Sequence, residues 1–241
     1  MHALHARLPK NFVLEERLER YADSIEASPE RWAGQWAEAC HPLGSERTSF
    51  DEVRLDMGCG KGAFTVEAAA AEKSVLFVGI DFEPICIAYA AQHAVEAELP
   101  NMVVAPAMGT QVVQFFGTHE LSRIYINFPD PWKKSGQKKR RLTFAGFLAI
   151  YANLLPTGGE IWFKSDNDPL FEWSLGQFES EGWELREVTR DLHANGPVGV
   201  MTDYEAKFYE QGVTINRLVA VKTEDTKCDL FPGMSTGSAP V

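Results

Sequence analysis

The sequence is poor in cysteine and short of positive charge. Its four cysteines, Cys40, Cys59, Cys86 and Cys228, form no C-x-x-C pair, and none stands at zinc-ligand spacing from a histidine. Neither a metal site nor a disulfide framework is implied, and a reducing compartment fits, so a cytoplasmic location is expected. Lys and Arg number 23 against 34 Asp and Glu, for a net charge of −11 and a pI of about 5.1. That balance excludes a protein that coats nucleic acid through its overall charge, yet it permits a local basic patch on an acidic body. No apolar run approaches the length of a membrane span, and the start lacks the apolar stretch of a secretory signal, so neither is expected. No internal repeat is visible. There is no evident catalytic histidine and no Tyr-x-x-x-Lys pair of the kind an oxidoreductase would use. What remains is a chain of 241 residues, 45% hydrophobic, enough for one large α/β domain or two small ones.

The basic residues that are present cluster. Phe128-Pro129-Asp130-Pro131-Trp132 is followed at once by Lys133 and Lys134 and then by Lys138, Lys139, Arg140 and Arg141. The prolines fix φ and lack an N–H, so Asp130 is expected on a stiff, non-helical turn. The preceding Arg123-Ile124-Tyr125-Ile126-Asn127 reads as a buried strand, which puts Asp130 at the carboxyl end of a strand, where open α/β sheets bind ligands. An acid, a ring and a cationic stripe together suit a polyanion that carries a base. A Pro-rich turn followed by a solvated basic loop has the same composition, and the rest of the chain must decide between them.

In chain order, residues 1–12 (with His2, His5, Arg7 and Lys10) read as an arm, and 13–27 and 29–40 as amphipathic helices. The second would be capped by Ser28, with Pro29 at its first position. Trp32 and Trp36 would share one helix face as packing residues. From residue 52 strands and helices alternate. Strands are expected at 53–56, 75–80, 102–105, 122–127 and 161–163, and helices at 62–72, 83–98, 109–116, 142–155 and from Pro169 to about Glu181. Residues 183–190 and 213–221 read as two further strands. From Thr223 onward the chain is polar and expected to be disordered. This order argues for a parallel, doubly wound sheet.

Asp56-x-Gly58-x-Gly60-x-Gly62 joins the first strand to its helix, and Asp81 ends the second strand 19 residues beyond Gly62. Glycines there allow a sharp turn and a close approach to a ligand, and an acid in the position of Asp81 accepts both hydroxyls of a ribose. The loop serves a dinucleotide, with a pyrophosphate at the helix N-terminus, or S-adenosylmethionine, which has no phosphate. Asp56 favours the second, since a carboxylate repels a pyrophosphate and attracts an α-ammonium group. A Gly-rich turn with no ligand is the bland alternative.

Taken together, Asp56-Met57-Gly58-Cys59-Gly60-Lys61-Gly62, Gly79-Ile80-Asp81, Asn127 to Trp132, Lys139 to Thr143, Phe163 to Asn167 and Met201 to Glu205 resemble the bacterial tRNA (guanine-N7-)-methyltransferases, over nearly the whole chain to about Val221. The resemblance implies a Rossmann-like class I methyltransferase with a seven-stranded, mostly parallel sheet whose last strand is antiparallel, and helices on both faces. It implies an N-terminal arm and packing helices over 1–50, a methyltransferase domain over 51–222 and a tail over 223–241. It implies S-adenosylmethionine as cofactor and tRNA as partner, the variable-loop guanosine as target, no membrane, and a monomer or homodimer. By the same resemblance Asp56, Gly58, Gly60, Asp81 and Asp130 line the cofactor site and Asp130 is the active-site acid. Lys134, Asp166, Thr202, Asp203, Tyr204 and Glu205 match substrate positions, and Lys133, Lys138, Lys139, Arg140 and Arg141 are candidate RNA contacts. Two departures stand out. The family's acid after the third strand is Ala107 or Met108 here, so binding there is expected to rest on backbone groups and apolar contact. The family's Arg-His in the basic loop is Gly136-Gln137. A methyltransferase for a small molecule, a nicotinamide oxidoreductase and a non-catalytic RNA-binding relative are the competing classes.

Overall fold

A computed structural model describes residues 12–46 and 49–230. The expected arm falls almost wholly outside them. Seven strands form one sheet among these residues: β1 (Glu52–Met57), β2 (Val75–Asp81), β3 (Met102–Pro106), β4 (Arg123–Asn127), β5 (Glu160–Ser165), β6 (Glu184–Thr189) and β7 (Asn216–Val221). Their order is β3-β2-β1-β4-β5-β7-β6. The first five are parallel to one another, and β7 runs antiparallel between β5 and β6. The order reverses at β1 and β4, which makes the crevice above their carboxyl ends the topological switch point.

The apolar runs form strands because both faces of the sheet are covered: β2 is buried from Val75 to Ile80 and β7 throughout, as parallel sheets in α/β proteins require. Helices α3 (Ala63–Ala71), α4 (Pro84–Glu96), α5 (Val112–Phe115), α6 (Ala145–Leu154) and α7 (Asp168–Ser180) follow the strands. The edge strand β6 carries charges on three of its four exposed positions, Glu184, Arg186 and Glu187, and a register break near Glu187, whose φ is +50°. Such breaks and charges keep an open edge from pairing with another chain. No helix among the described residues is long and apolar enough to cross a membrane.

The N-terminal region departs from expectation. The single helix expected over 13–27 is α1 (Leu14–Arg20), a 3-10 turn over Ala22–Ser24, and then an extended bridge from Ile25 to Val104 on the edge of β3. Pairing with that edge wins over helix propensity. The helix expected over 29–40 is a 3-10 turn, Pro29–Trp32, and the short α2 (Trp36–Ala39), interrupted at Gly34 with φ +78°. The Ser28 side chain caps nothing; its N–H donates to Glu26 instead. Trp32 and Trp36 therefore share no helix face, although both pack. Trp36 is fully buried, stacks on Phe116 and donates its indole N–H to the Phe115 carbonyl at 2.7 Å.

Two further differences lie near the C-terminus. Residues 223–230 are ordered against α7 rather than disordered. Thr226 is buried, Thr223 and Thr226 hydroxyls donate to the Gly182 carbonyl, and Lys227 N–H donates to the Glu181 carbonyl. The remainder of the expected tail, 231–241, lies outside the described residues. A helix not anticipated, α8 (Asp203–Glu210), starts at Thr202 with a capping box in which Thr202 Oγ1 accepts the Glu205 N–H and Glu205 accepts the Thr202 N–H.

Candidate active site

Everything the sequence singled out as reactive lies along one edge of the sheet. The register sets Asp56 beside Tyr125 and Asn127 beside Lys164. The Gly loop leaving β1, the proline-flanked acid leaving β4 and Asp166 after β5 thus sit side by side above the switch point.

The loop after β1 is folded back on β2: Gly58 and Cys59 N–H groups both donate to the Ile80 carbonyl. Gly58 (φ +76°) and Gly60 (φ +55°) take conformations that favour glycine, and a Cβ on either would meet open space. Gly62 differs: at φ +80°, a Cβ there would lie 2.8 Å from the Ala90 Cβ, so this glycine lets α3 pack against α4. Asp81 is the loop's brace. Its Oδ2 accepts the Gly60 N–H at 3.0 Å and its Oδ1 accepts the Glu83 N–H at 2.9 Å, while burial raises its pKa. Asp56 is only 2% exposed, accepts the Thr65 hydroxyl at 2.6 Å, and is pushed up to about 7, first by burial and then by the neighbouring Asp81 charge.

Beyond Asp81 the surface turns apolar. Phe82 is 70% exposed and Met108 65% exposed, and they follow the paired strand ends Asp81 and Pro106. Side chains this open at a sheet's carboxyl edge are available to a flat apolar ligand. The Ala107 and Met108 N–H groups are already bonded, to the Asp81 carbonyl and to Gln111 Oε1. Those two N–H groups are therefore engaged within the protein, with exposed apolar surface beside them.

The turn after β4 is strained at both ends: Phe128 has φ +50° and Trp132 φ +41°. Such residues cost about 1–3 kcal/mol each unless their surroundings hold them. Here they do. Phe128 N–H donates to the Lys164 carbonyl at 2.9 Å and its ring meets Phe208 of α8 at 6.0 Å. The Arg141 guanidinium donates to the Pro131 and Trp132 carbonyls at 2.9 and 3.3 Å and lies over the Trp173 ring. Arg141 is thus buried and occupied, a correction to its reading as an RNA contact: it pins the turn. Asp130 is exposed, as are Lys133, Lys134, Lys138, Lys139 and Arg140, the last four on or beside a 3-10 turn over Ser135–Arg140. The Arg140 guanidinium sits over the half-buried Trp132 ring at 5.1 Å.

Asp166 and Tyr204 are also exposed, and Thr202 is buried as the cap of α8. Asp203 is the first residue of that helix. Glu205 is fully buried and held by Lys164 Nζ, His193 Nε2 and the Thr202 N–H. Its expected place at a substrate-facing surface is corrected by that burial. Sequence reasoning missed Lys164 and His193, Phe82 and the exposed Met108 side chain; the Thr-Asp-Tyr-Glu pattern of a capping box was the available signal for α8.

The donor set fits S-adenosylmethionine. Two glycines leave open space beside two carboxylates, apolar side chains flank the site, and the Asn127 side chain at the end of β4 lies beside Asp56.

Comparison with known proteins agrees. A family model described as “Putative methyltransferase” matches residues 51–218. The chain is 39% identical over 209 residues to the tRNA (guanine-N(7)-)-methyltransferase of Lactococcus lactis subsp. cremoris, covering 85% of this chain and 93% of that one. To the enzyme of the same name from Streptococcus suis it is 40% identical over 195 residues, covering 80% and 89%. To that of Streptococcus equi subsp. zooepidemicus it is 37% identical over 215 residues, covering 89% and 99%. Among solved structures, the 16S rRNA methyltransferase KamB superposes with a TM-score of 0.55 at 17% identity, over 72% of this chain and 89% of that one. The [4+2]-cyclase SpnF does so with 0.53 at 15%, over 72% and 76%. Those two share the fold and carry different chemistries, so the fold alone does not name the reaction. The sequence likeness over nearly full length does: the chain belongs to the tRNA (guanine-N(7)-)-methyltransferases, enzymes that use S-adenosylmethionine.

Proposed function

We propose that this chain methylates N7 of the variable-loop guanosine, position 46, of tRNA, with the residues at the β1–β4 switch point in the following roles. The observation that carries the reading is the convergence of the Gly58–Gly60 loop and the Asp130 turn on neighbouring strand ends.

S-adenosylmethionine, when bound, supplies a methyl group on a positively charged sulfur. Gly58 and Gly60 would admit it closely, Asp56 would favour its ammonium end, Asp81 would accept from its ribose, and Phe82 and Met108 would flank its adenine. Guanine N7 already carries a lone pair in the base plane, so the chain has no proton to remove before the N7–carbon bond forms and the sulfur–carbon bond breaks. Its contribution is alignment and electrostatics. Positive charge appears on the purine as it leaves the sulfur, and the Asp130 carboxylate stabilises it there. Asp166, Thr202, Asp203 and Tyr204 border the base, while Lys133, Lys134, Lys138, Lys139 and Arg140 follow the phosphates. A local basic patch on a chain of net charge −11 gives one-faced, salt-sensitive binding. The working unit is residues 51–222 with the preceding segment packed on it, as a cytoplasmic monomer or homodimer.

Mass spectrometry of tRNA incubated with labelled cofactor, on nucleosides and on mapped ribonuclease fragments, tests the reaction: label in 7-methylguanosine at position 46 is expected, and label elsewhere or in no nucleoside refutes it. Asp130→Asn tests the charge role, because near-normal transfer by that variant would remove it.

A further inference from the structure

Lys164 and His193 have no part in the roles above, yet they organise the segments that do. Lys164 lies at the end of β5 with its side chain 8% exposed. Its carbonyl accepts the Phe128 N–H, and its ammonium reaches both Glu205 oxygens at 2.8 and 2.9 Å and the Val200 carbonyl at 3.2 Å. One residue therefore fastens the strained turn, the loop before α8 and α8 itself. His193 Nδ1 accepts the Val198 N–H at 3.2 Å, which leaves Nε2–H to donate to Glu205 Oε1 at 2.9 Å. The Thr202 N–H completes the set on Oε2 at 3.3 Å.

A carboxylate offers about four lone-pair sites. Glu205 has four contacts on them, two from Lys164 and one each from His193 and Thr202. It has no site left for a guanine N–H and no exposed surface on which to meet one. Replacing a buried ion pair by neutral groups of similar size often leaves a fold as stable as before, whereas removing one partner strands a buried charge. What this pair supplies is a neutralised carboxylate that can stay buried at the start of α8, where His193 and the capping box hold it.

We propose that Lys164 and His193 are positioning residues: they clamp Glu205, and through it hold α8, whose Phe208 meets Phe128 of the turn that bears Asp130, so that the first turn of α8 meets the guanosine and Glu205 does not. This rests on the reading of the site given above.

The test compares the wild type with Lys164→Met, Glu205→Gln, the double variant and His193→Ala, by thermal unfolding, calorimetry with S-adenosylmethionine, and kcat and KM for tRNA methylation. Lys164→Met should raise the KM for tRNA about tenfold or more, with cofactor affinity within about threefold of wild type. His193→Ala should move KM the same way by less. In the double variant the stranded charge is gone and Gln keeps the capping box, so KM should return to within about threefold of wild type. A double variant that melts like wild type but stays as impaired as Lys164→Met would overturn the proposal, since the Glu205 carboxylate would then act on the substrate. A Lys164→Met enzyme indistinguishable from wild type would overturn it too. So would a double variant that does not fold, because the pair would then be carrying the fold. A wild type that binds cofactor but leaves tRNA unmethylated fails the reading of the site itself, and the positioning claim falls with it.

Discussion

Gly58→Ala and Gly62→Ala make the same chemical change in the same loop at nearly the same φ, +76° and +80°, and the structure gives them opposite consequences. Each places an L-residue in the left-handed region, at a cost of about 1–2 kcal/mol. Each also removes the same glycine entropy from the unfolded chain, so that contribution cancels between them. At position 58 the new Cβ meets nothing within 4 Å; at position 62 it meets the Ala90 Cβ at 2.8 Å and its Cα at 3.0 Å. Backbone cannot yield as a flexible side chain does, and overpacking of this kind costs about 1–3 kcal/mol. For a domain of this size one kcal/mol shifts the midpoint by about 2–4 °C. Gly62→Ala should therefore melt about 2–12 °C below Gly58→Ala. Cofactor affinity should order the other way. On the proposed roles the ligand approaches through the open space at Gly58, so a Cβ there should meet it and weaken binding by about tenfold to a hundredfold. Gly62→Ala, measured well below its midpoint, should bind within a few-fold of wild type. Differential scanning calorimetry and titration calorimetry read the two quantities. Equal melting losses, with affinity for S-adenosylmethionine untouched in Gly58→Ala, would refute the division of the loop into a ligand face and a packing face.

Asp56, raised to about 7 by burial, holds its proton in the folded state over a range where the unfolded carboxyl has lost it. The stability of the wild type relative to Asp56→Asn should fall as pH rises from about 4 to about 7 and level off above; a flat difference in pH-dependent urea unfolding would count against the burial argument. An ammonium group beside that carboxylate favours its ionised form, so affinity for S-adenosylmethionine should weaken from pH 8 to pH 6 in wild type and much less in Asp56→Asn, by calorimetry. Lys138→Ala and Lys139→Ala should each weaken tRNA binding and lower the salt slope by about one, whereas Arg141→Ala, which releases a strained turn, should depress kcat with the salt slope unchanged; filter binding across a salt series separates the two patterns. Trp36→Ala should cost about 3–5 kcal/mol, as the loss of a fully buried indole does, read by urea unfolding.

What the sequence made legible follows from where each signal is local. The strands showed because both faces of the sheet are buried, so Val75–Ile80 and Ile161–Phe163 are near-continuous apolar runs that need no partner to be seen. The Gly loop and the proline-flanked acid showed because backbone geometry restricts which residues can stand there. The N-terminal helices failed because their outcome is decided elsewhere: Ile25 pairs with the edge of β3, and Gly34 breaks the chain where Glu120 accepts the Gly34 and Trp36 N–H groups. Residues 223–230 looked polar enough to be disordered, yet the Thr223 and Thr226 hydroxyls and the Lys227 N–H satisfy carbonyls just past the end of α7, a use of threonine that composition does not reveal. Arg141 and Glu205 show the same limit for charge. One belongs by sequence to a basic run and the other to a polar motif, and only packing shows that each is spent on the protein's own groups.

Those two buried charges bear on how an acidic protein can handle RNA. The exposed cations that remain, from Lys133 to Arg140, are few, and they directly follow a short turn whose two ends are held by Arg141 and by the Lys164 carbonyl. With so little charge to draw on, affinity depends on presenting it in one fixed place beside the acid and the cofactor loop, rather than on spreading it over a surface. The strain at Phe128 and Trp132 is consistent with that requirement: a relaxed loop would carry the same charges at lower cost, but without a defined distance between the phosphates it follows and the base that must reach the switch point. On this view the buried Arg141 contributes to RNA binding by fixing where the exposed cations stand.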